Sequence, residues 1–160
     1  FYLTWKAKKF KIKTEFINLA GKINRSLPKW TIEQLKKNLK EKRGIKTLKN
    51  KKFLILGIAY KKNINDCRES PAFEIIKILE KGGSNVNYSD TYIEKIPRLR
   101  RFNFTKKSVK LSSAEIKKYD AAILVTDHDN FNYKLIQENS KLIIDTRNIF
   151  NKKSKNVVFC

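Results

Sequence analysis

A short apolar run that leads into a charged loop constrains the fold more than any other part of this chain. Residues 53–56 read Phe-Leu-Ile-Leu, the pattern of a parallel strand covered on both faces, and Gly57 permits a turn at its end. Ser70 and Pro71 then indicate a helix start, because serine caps helices and the first helical position needs no N–H. We therefore predict a strand, a loop that can hold a ligand, and a helix over residues 71–81.

After residue 51 the sequence alternates between predicted strands and predicted helices. The predicted strands are residues 53–56, 85–89, 121–125 and 141–144, with a short strand at 102–104 and an edge strand at 157–159. The predicted helices are residues 71–81, which end at Gly82 and Gly83, 112–118 with a cap at Ser112 or Ser113, and 130–138. Short crossovers between such strands favour a parallel sheet, so we predict an α/β fold with a Rossmann-like parallel sheet domain.

The first 44 residues differ from the rest of the chain in their hydrophobic pattern, because their apolar residues recur at helical spacing. These positions are Trp5, Phe16, Leu19, Ala20, Ile23, Leu27, Ile32, Leu35 and Leu39. The pattern predicts a helical segment that precedes the sheet domain, and Gly44 after basic residues indicates where it stops. Pro28 interrupts the segment, either as a kink or as the start of a second helix near Lys29.

The net charge of +22, from 37 basic and 15 acidic residues, raises the question of a nucleic-acid partner. The positive charge is mostly lysine, it is spread over every segment, and no zinc-finger spacing or RNA-binding aromatic motif accompanies it. We therefore expect a solvated lysine surface and no specific nucleic-acid site. Weak, salt-sensitive binding to polyanions is expected of any such surface.

Three features of the composition concern location and processing. No run approaches the roughly 18 apolar residues of a membrane span, and the amino end lacks a signal-peptide pattern, so we expect a cytoplasmic protein with no membrane partner. Cys67 and Cys160 form neither a metal-ligand spacing nor a convincing disulfide framework, which fits a reducing compartment and predicts no metal site. The sequence contains no methionine, so we expect it to be part of a longer product.

Polar residues follow four of the predicted strands. They are Tyr60 with Lys61, Asp90, Thr126 to His128, and Asp145 to Arg147. Because the carboxyl ends of parallel strands meet at one edge of a sheet, we expect these residues to line a common crevice. The crevice would be strongly cationic through Lys61, Arg68 and Arg147, and therefore suited to a phosphorylated small molecule. The glycine fingerprint Gly-x-Gly-x-x-Gly of a dinucleotide-binding turn is missing.

Residues 57–71, GIAYKKNINDCRESP, resemble a motif of the UDP-glucose/GDP-mannose dehydrogenase family. In the UDP-binding domain at the carboxyl end of that family, the loop typically reads G-x-A-[FY]-K and then, after several residues, D-x-R-E-S-P. Three other segments are similar to family motifs: residues 88–90 to a strand end Y-D-P, residues 120–131 to a strand followed by T-x-H-x-x-F, and residues 144–148 to D-x-R-N. The resemblance covers nearly all of residues 1–150.

The resemblance divides the chain into two parts. Residues 1–46 are similar to the end of the family's central helical domain, whose helices pair subunits in the family's dimers, and residues 47–160 are similar to its UDP-binding domain. The helical part is most similar to the branch that acts on UDP-N-acetylhexosamines. The resemblance thus implies a homodimer formed through the helical domain.

The reaction that the resemblance implies is an NAD-dependent oxidation of a nucleotide sugar at C6, from alcohol through aldehyde to carboxylate, in polysaccharide precursor synthesis. The substrate would be UDP-N-acetylglucosamine, UDP-N-acetylgalactosamine or UDP-glucose. In the family, a cysteine in a Gly-Gly-x-Cys motif before the position of Phe1 forms the covalent intermediate, and an amino-terminal Rossmann domain holds most of the NAD.

Neither the family's cysteine motif nor its glycine fingerprint lies in these 160 residues. We therefore expect no catalytic residue in this chain, no dehydrogenase activity from it alone, and a role in binding the UDP-sugar substrate. Two other classes stay open for the chain as a whole: a non-catalytic remnant, and a polyanion or nucleic-acid binding protein.

The resemblance also assigns roles to four side chains at matching positions. Tyr60 and Lys61 match the aromatic-lysine pair that contacts the nucleotide sugar, and Arg147 matches an arginine that approaches the substrate of the facing subunit. Arg68 matches the arginine that reaches NAD. Their chemistry fits, because lysine presents a point charge to a phosphate and arginine a planar fork to a pyrophosphate. The alternative for each is a surface cation or an ion pair at a helix end.

Cys67 and His128 invite a catalytic interpretation that their sequence context does not favour. Cys67 stands where the family usually has threonine or serine. Although a thiol beside Arg68 can have a lowered pKa, we expect Cys67 to be a small structural residue. His128 is the only histidine and lies at a predicted strand-to-helix junction, where capping and packing explain it better than general-base chemistry.

Overall fold

The computed structural model of this chain describes residues 2–150 and 154–160, which contain a five-stranded sheet with helices on both faces. The strands are β1 (Lys52–Leu56), β2 (Asn85–Ser89), β3 (Ala121–Leu124), β4 (Ile143–Asp145) and β5 (Val157–Phe159). The helices are α1 (Tyr2–Lys9), α2 (Glu15–Arg43), α3 (Ala72–Lys81), α4 (Ser113–Ile116) and α5 (Tyr133–Asn139). The α/β architecture with a preceding helical segment confirms the prediction from the sequence.

All five strands are parallel, in the order β2-β1-β3-β4-β5. The chain first places β2 on one side of β1 and then returns to place β3 on the other side. The direction of strand addition therefore reverses between β1 and β3, and open parallel sheets bind ligands outside the carboxyl ends of their strands at such a reversal. The two strand ends are joined there, because the Val125 N–H donates to the Leu56 carbonyl (2.9 Å).

The side chains of β1 alternate between two separate cores. Phe53 and Ile55 pack on one face with residues of α2 and α3, whereas Leu54 and Leu56 pack on the other face with residues of α4 and α5. All four side chains are fully buried. At about 1.5–3 kcal/mol for each large apolar side chain, this strand supplies several kcal/mol of burial free energy. Burial on both faces explains why the strand reads as a continuous apolar run.

Helix α2 runs without a break through Pro28, so no second helix starts after it and that alternative is wrong. Proline removes one N–H from the helix and costs about 3 kcal/mol in a helix interior. The following turns are fixed to the core by Ile32, Leu35 and Leu39, each at most 2% exposed. Their combined burial outweighs the cost of the proline. Gly44 ends the helix in a left-handed conformation (φ 66°), as predicted.

The break in the helical segment lies earlier, between α1 and α2. Residues 10–14 are not helical, and Lys11 has a left-handed backbone (φ 59°). Although α2 has 29 residues, no helix in the described part of the chain is both long and apolar enough to cross a membrane.

The predicted strand at residues 102–104 is wrong, because this segment is irregular. Phe102 and Phe104 stack on each other with centroids 5.7 Å apart, and both rings contact Phe73 of α3. Two aromatic residues at positions i and i+2 resemble a strand in sequence, but here they cover a helix. The surrounding backbone forms isolated bridges instead of a ladder.

Side-chain caps mark the start of two of the three helices of the sheet domain, α4 and α5. The Ser112 hydroxyl accepts a hydrogen bond from the Glu115 N–H (3.1 Å) and caps α4, as predicted. Asn132 caps α5 in the same way, so this helix starts later than the predicted residue 130. Helix α3 begins at Ala72, one residue beyond the prediction, and its N-cap residue is Pro71 instead of Ser70, although the Ser70 hydroxyl accepts a hydrogen bond from the Ala72 N–H (3.3 Å). Strand β4 is likewise displaced by one to two residues from the predicted range.

Gly57 stands where three strand ends meet. Its φ of 75° is left-handed, and a Cβ added there would lie only 2.2 Å from the Thr126 carbonyl oxygen. The Gly57 N–H also donates to the Ser89 carbonyl (2.9 Å). The chain after β1 therefore lies against the ends of β2 and β3 at a position that tolerates no side chain.

Gly57→Ala is expected to lower the free energy of unfolding by at least about 2 kcal/mol, since it adds a clash of about 1–3 kcal/mol to left-handed strain of about 1–2 kcal/mol. Gly44→Ala is the matched control, because Gly44 is also left-handed but a Cβ there meets nothing within 4 Å. Urea denaturation measures both losses. Equal losses would show that the contact with Thr126 is not tight.

Candidate functional site

The loops after β1, β2, β3 and β4 come together at the carboxyl edge of the sheet, as the sequence predicts. The loop after β1 carries Tyr60 and Lys61. It packs directly against the loop after β3, because the Thr126 hydroxyl donates to the Ala59 carbonyl (2.6 Å). This edge, beside the reversal between β1 and β3, is the candidate functional site.

A buried carboxylate, that of Asp90, organises this edge. Its oxygens accept hydrogen bonds from four backbone N–H groups, those of Ile58 and Ala59 on Oδ2 and those of Tyr92 and Ile93 on Oδ1. Burial by itself raises the pKa of Asp90, but the hydrogen bonds from His128 and the backbone outweigh it, and the pKa is lowered overall. A charged carboxylate therefore joins the loop after β1 to the loop after β2.

His128 extends this network from Asp90 back to the loop after β1. Its ring is fully buried, its Nε2 lies 3.1 Å from the Asp90 carboxylate, and its Nδ1 accepts from the Asn63 N–H (3.0 Å). The rings of Tyr92 and Phe131 pack against it with centroids 4.9 and 5.5 Å away. Both ring nitrogens have protein partners, which agrees with a structural role for His128.

Asp145 repeats the arrangement at the end of β4. Its buried carboxylate accepts hydrogen bonds from four consecutive backbone N–H groups, those of residues 147–150 (2.8–2.9 Å). The turn formed in this way places Arg147, whose Nε donates to the Val125 carbonyl (2.7 Å). The same nitrogen lies 3.7 Å from the carboxylate of Asp127. Arg147 is thus held between the ends of β3 and β4.

Tyr60 and Lys61 present their side chains to solvent from this framework. Tyr60 is 48% exposed. Lys61 is exposed too, and within residues 2–150 and 154–160 its ammonium group has no hydrogen-bond or ion-pair partner. The neighbouring Lys62 instead forms an ion pair with Asp129 (2.5 Å). Lys61 is therefore available to an anionic ligand, whereas Lys62 belongs to the framework.

The crevice is less cationic than the sequence predicts. The side chain of Arg68 is 82% exposed, and its guanidinium makes two hydrogen bonds to Asp66 (3.0 and 2.8 Å), which lower the pKa of Asp66 to about 2. Arg147 similarly lies beside Asp127. Two of the three predicted cations thus have nearby carboxylates, and the uncompensated charge is that of Lys61.

Asn63 is a site residue that the sequence motifs do not identify. Its side chain donates to the Asp129 carboxylate (2.6 Å) and accepts from the Asp129 N–H (3.1 Å). Its backbone is left-handed (φ 59°), a conformation that asparagine adopts more readily than most residues. Two features of the sequence could have pointed to Asn63: it is an asparagine in a charged loop, and the sequence Thr-Asp-His-Asp follows β3.

The two cysteines have the properties of structural thiols. Cys67 is 3% exposed, and burial raises its pKa; burial raises the pKa of Cys160 to about 11. A thiol nucleophile needs a lowered pKa, and the opposing effect of Arg68 on Cys67 is the smallest of its causes. Within the described residues, no group of three or more His, Cys, Asp or Glu side chains could hold a metal ion.

A groove of about 660 Å³ lies outside the candidate site, along residues 95–105. Neither Tyr60 nor Lys61 lines it. The groove lacks the buried carboxylates that organise the strand ends, so we do not place the candidate site in it.

Residues 54–152 match the UDP-binding domain of the UDP-glucose/GDP-mannose dehydrogenase family. The chain is 29% identical over 147 residues to a UDP-N-acetyl-D-mannosamine dehydrogenase of Methanocaldococcus jannaschii, over 87% of this chain and 31% of that protein. It is 33% identical over 145 residues to the protein of the same name from Methanococcus aeolicus, over 86% of this chain and 30% of that protein.

A solved structure shows the same similarity in three dimensions. The UDP-D-ManNAc dehydrogenase of Pyrococcus horikoshii superimposes with a TM-score of 0.72 at 26% identity, over 96% of this chain and 34% of that one. The chain therefore spans about a third of the length of the relatives that it matches.

Asp90→Asn is expected to lower the free energy of unfolding at neutral pH by about 1–3 kcal/mol, because an amide nitrogen would face backbone N–H donors. The pKa of Asp90 is lowered in the fold. Its carboxylate therefore stabilises the native state above the unfolded value of about 3.9, and the stabilisation is lost as the pH falls through the folded value. The difference between wild type and variant should shrink below about pH 4.

Urea denaturation from about pH 7 to pH 3 measures this difference. Glu138→Gln, which removes an exposed carboxylate from α5, is the control and should show little change at any pH. A stability difference for Asp90→Asn that does not vary with pH would contradict the charged state of the carboxylate.

Proposed function

This chain belongs to the UDP-glucose/GDP-mannose dehydrogenase family, and we propose that it binds the UDP-sugar substrate of an NAD-dependent nucleotide-sugar 6-dehydrogenase. The observation that carries the proposal is Lys61, an exposed cation without a partner in the described chain, on a loop that Asp90 holds at the reversal of the sheet. An ammonium group in that position suits a nucleotide phosphate.

The relatives favour a UDP-N-acetylhexosamine as the substrate. Both sequence relatives described above are UDP-N-acetyl-D-mannosamine dehydrogenases. In the proposed reaction the C6 alcohol of such a sugar becomes a carboxylate, and the product is a precursor for polysaccharide synthesis. Tyr60 and Lys61 contact the nucleotide sugar, and the half-exposed ring of Tyr60 offers an apolar surface next to the charge of Lys61.

In this proposal the two arginines contact other ligands: the substrate of a facing subunit and NAD. Arg147, whose side chain is 39% exposed, approaches the substrate of a facing subunit. Arg68 uses two nitrogens on Asp66 and keeps other N–H donors in solvent, which fits one contact with NAD. A single exposed arginine does not make a complete dinucleotide site, so most of the NAD contacts and the covalent thiol would come from the part of the relatives that this chain does not span.

The helical part supplies a surface for pairing subunits in this proposal, with residues 1–46 as the end of a dimerisation domain and 47–160 as the UDP-binding domain. The first half of α2, together with α1, presents a stripe of apolar side chains that are 40–82% exposed: Trp5, Phe16, Leu19, Ile23, Leu27 and Trp30. Five of them recur every three or four residues along one face of α2. Exposed apolar surfaces of this kind mark protein interfaces, and we assign this one to a second copy of the chain.

Leu19→Glu combined with Ile23→Glu is expected to convert a dimer into a monomer, because two carboxylates would be buried in the apolar stripe. Lys29→Glu is the matched control, since helical spacing places the exposed Lys29 outside the stripe, about 80° from Leu19 and about 120° from Ile23 around α2. Analytical ultracentrifugation measures the mass of each protein. If the wild type is a monomer, the stripe packs against another part of the longer protein instead of a second copy. If the double variant is still a dimer, the dimer interface lies elsewhere on the chain.

UDP is expected to bind this chain weakly, because the proposed cleft has only one of its walls here, and Lys61→Ala should weaken that binding by about 1–3 kcal/mol. Calorimetric titration measures the affinity. Lys117→Ala is the matched control: it removes an exposed lysine that precedes β3, at the opposite edge of the sheet.

The outcomes of this titration separate the proposal from its alternatives. An equal loss in Lys61→Ala and Lys117→Ala would assign the binding to overall positive charge, as in a polyanion-binding protein. Unchanged affinity in Lys61→Ala would remove Lys61 from the site. A wild type that binds no UDP would favour a non-catalytic remnant.

A further inference from the structure

The loop that carries Lys61 is fastened to the loop after β3 just beyond that lysine. The Asn63 N–H donates to His128 Nδ1 (3.0 Å), and the Asn63 side chain exchanges two hydrogen bonds with Asp129. Lys62 adds its ion pair to the same aspartate. The position of Lys61 therefore depends on contacts that reach across from the neighbouring strand end.

The bond to Asn63 determines which nitrogen of His128 carries the proton. Because Nδ1 accepts the Asn63 N–H, it has no proton, and the neutral ring keeps its proton on Nε2, which donates to Asp90 (3.1 Å). A second proton would bind to Nδ1, and two donors would then face each other. A protonated His128 cannot hold Asn63, although its bond to the Asp90 carboxylate becomes charge-assisted.

We infer that His128 is a positioning residue: its neutral ring holds Asn63, and through it Lys61, in the arrangement that binds a nucleotide phosphate, and protonation of the ring releases the loop. The inference rests on the proposed UDP-binding function. Asn63 has a left-handed backbone (φ 59°), which is uncommon even for asparagine and is maintained here by the surrounding contacts. The bond to His128 is such a contact, and it is the one that a proton removes.

The groups that face His128 come from several elements. They are Asp90 after β2, Asp129, which follows His128 in sequence, and the ring of Tyr92. Tyr133 of α5 also faces it, because its hydroxyl donates to the His128 carbonyl (2.7 Å). Hydrogen bonds from Lys62 and Asn63 lower the pKa of Asp129, so both nearby carboxylates are charged at neutral pH. The ring is fully buried, so that a proton reaches Nδ1 only when the contact with Asn63 opens.

Two substitutions separate the two bonds of His128. An asparagine oxygen lies near the position of Nδ1, so His128→Asn keeps an acceptor for the Asn63 N–H and loses the donor to Asp90. A glutamine nitrogen lies near the position of Nε2, so His128→Gln keeps the donor to Asp90 and loses the acceptor. Neither amide changes charge between about pH 5 and pH 8, where histidine ordinarily does.

Hydrogen exchange at the Asn63 amide tests the positioning role without any ligand. Its protection factor, referred to the Ala122 amide in β3, should fall about tenfold or more in the wild type between about pH 8 and pH 5. His128→Asn should keep the protection at both pH values, and His128→Gln should lack it at both. Wild-type protection that does not change with pH, or full protection in His128→Gln, would overturn the inference. If His128→Gln does not fold, the wild type and His128→Asn still decide it.

Titration with UDP connects the loop to the ligand. At about pH 7.5 we expect His128→Gln to bind UDP roughly tenfold more weakly than the wild type, and His128→Asn to bind within about twofold of it. The control is Lys134→Ala on α5, an exposed lysine outside the network.

The two measurements distinguish failure of the inference from failure of the proposed function. If the Asn63 protection of the wild type responds to pH as described but the protein binds no UDP, the proposed function is overturned. The role of His128 in fixing the loop would then still be established. Equal UDP affinity in the wild type and His128→Gln would show that the Asn63 contact does not position the ligand-binding residues, and would overturn the inference.

Discussion

The carboxyl edge of the sheet depends on one buried charge, the carboxylate of Asp90. A buried charge is strongly unfavourable unless it is hydrogen-bonded, and four backbone N–H groups and His128 meet that requirement here. The same bonds hold the chain after β1 against the chain after β2. The loops therefore cannot rearrange without leaving the charge unpaired, which gives the edge a single arrangement. Asp145 has the same effect on the chain after β4.

These two carboxylates explain how side chains that face solvent are placed without being buried. Tyr60 and Lys61 follow directly after the residues that Asp90 binds, and Arg147 begins the turn that Asp145 caps. For Tyr60 and Lys61 only the backbone is constrained, and their polar ends remain in water, whereas the Arg147 side chain is also held by the Val125 carbonyl. Binding of a ligand to such side chains requires little loss of conformational entropy in the loops beneath them, because the loops are already fixed.

Net charge is a poor guide to the chemistry of this site. The chain carries +22, yet near the strand ends Arg68, Lys62 and Arg147 each lie beside a carboxylate. Exposed ion pairs of this kind contribute at most about 1 kcal/mol to stability. Their main effect is to orient the basic side chains and to reduce the local positive charge. Of the three cations predicted for the site, only Lys61 has no carboxylate partner among the described residues. In the proposed function, the preference for an anion comes from this single charge on a loop that Asp90 holds in place.

The sequence by itself determined the α/β class, the strands at 53–56 and 85–89, the helix caps at Ser112 and Gly44, and the loop motif, because each is a pattern of neighbouring residues. Tertiary structure decided that α2 continues through Pro28, since burial further along the helix outweighs the proline. It also decided the partners of the site, because Asp90 and Asn63 lie 38 and 65 residues from His128 in sequence. Parallel crossovers bring such distant residues to one edge, and no local pattern records which of them will meet.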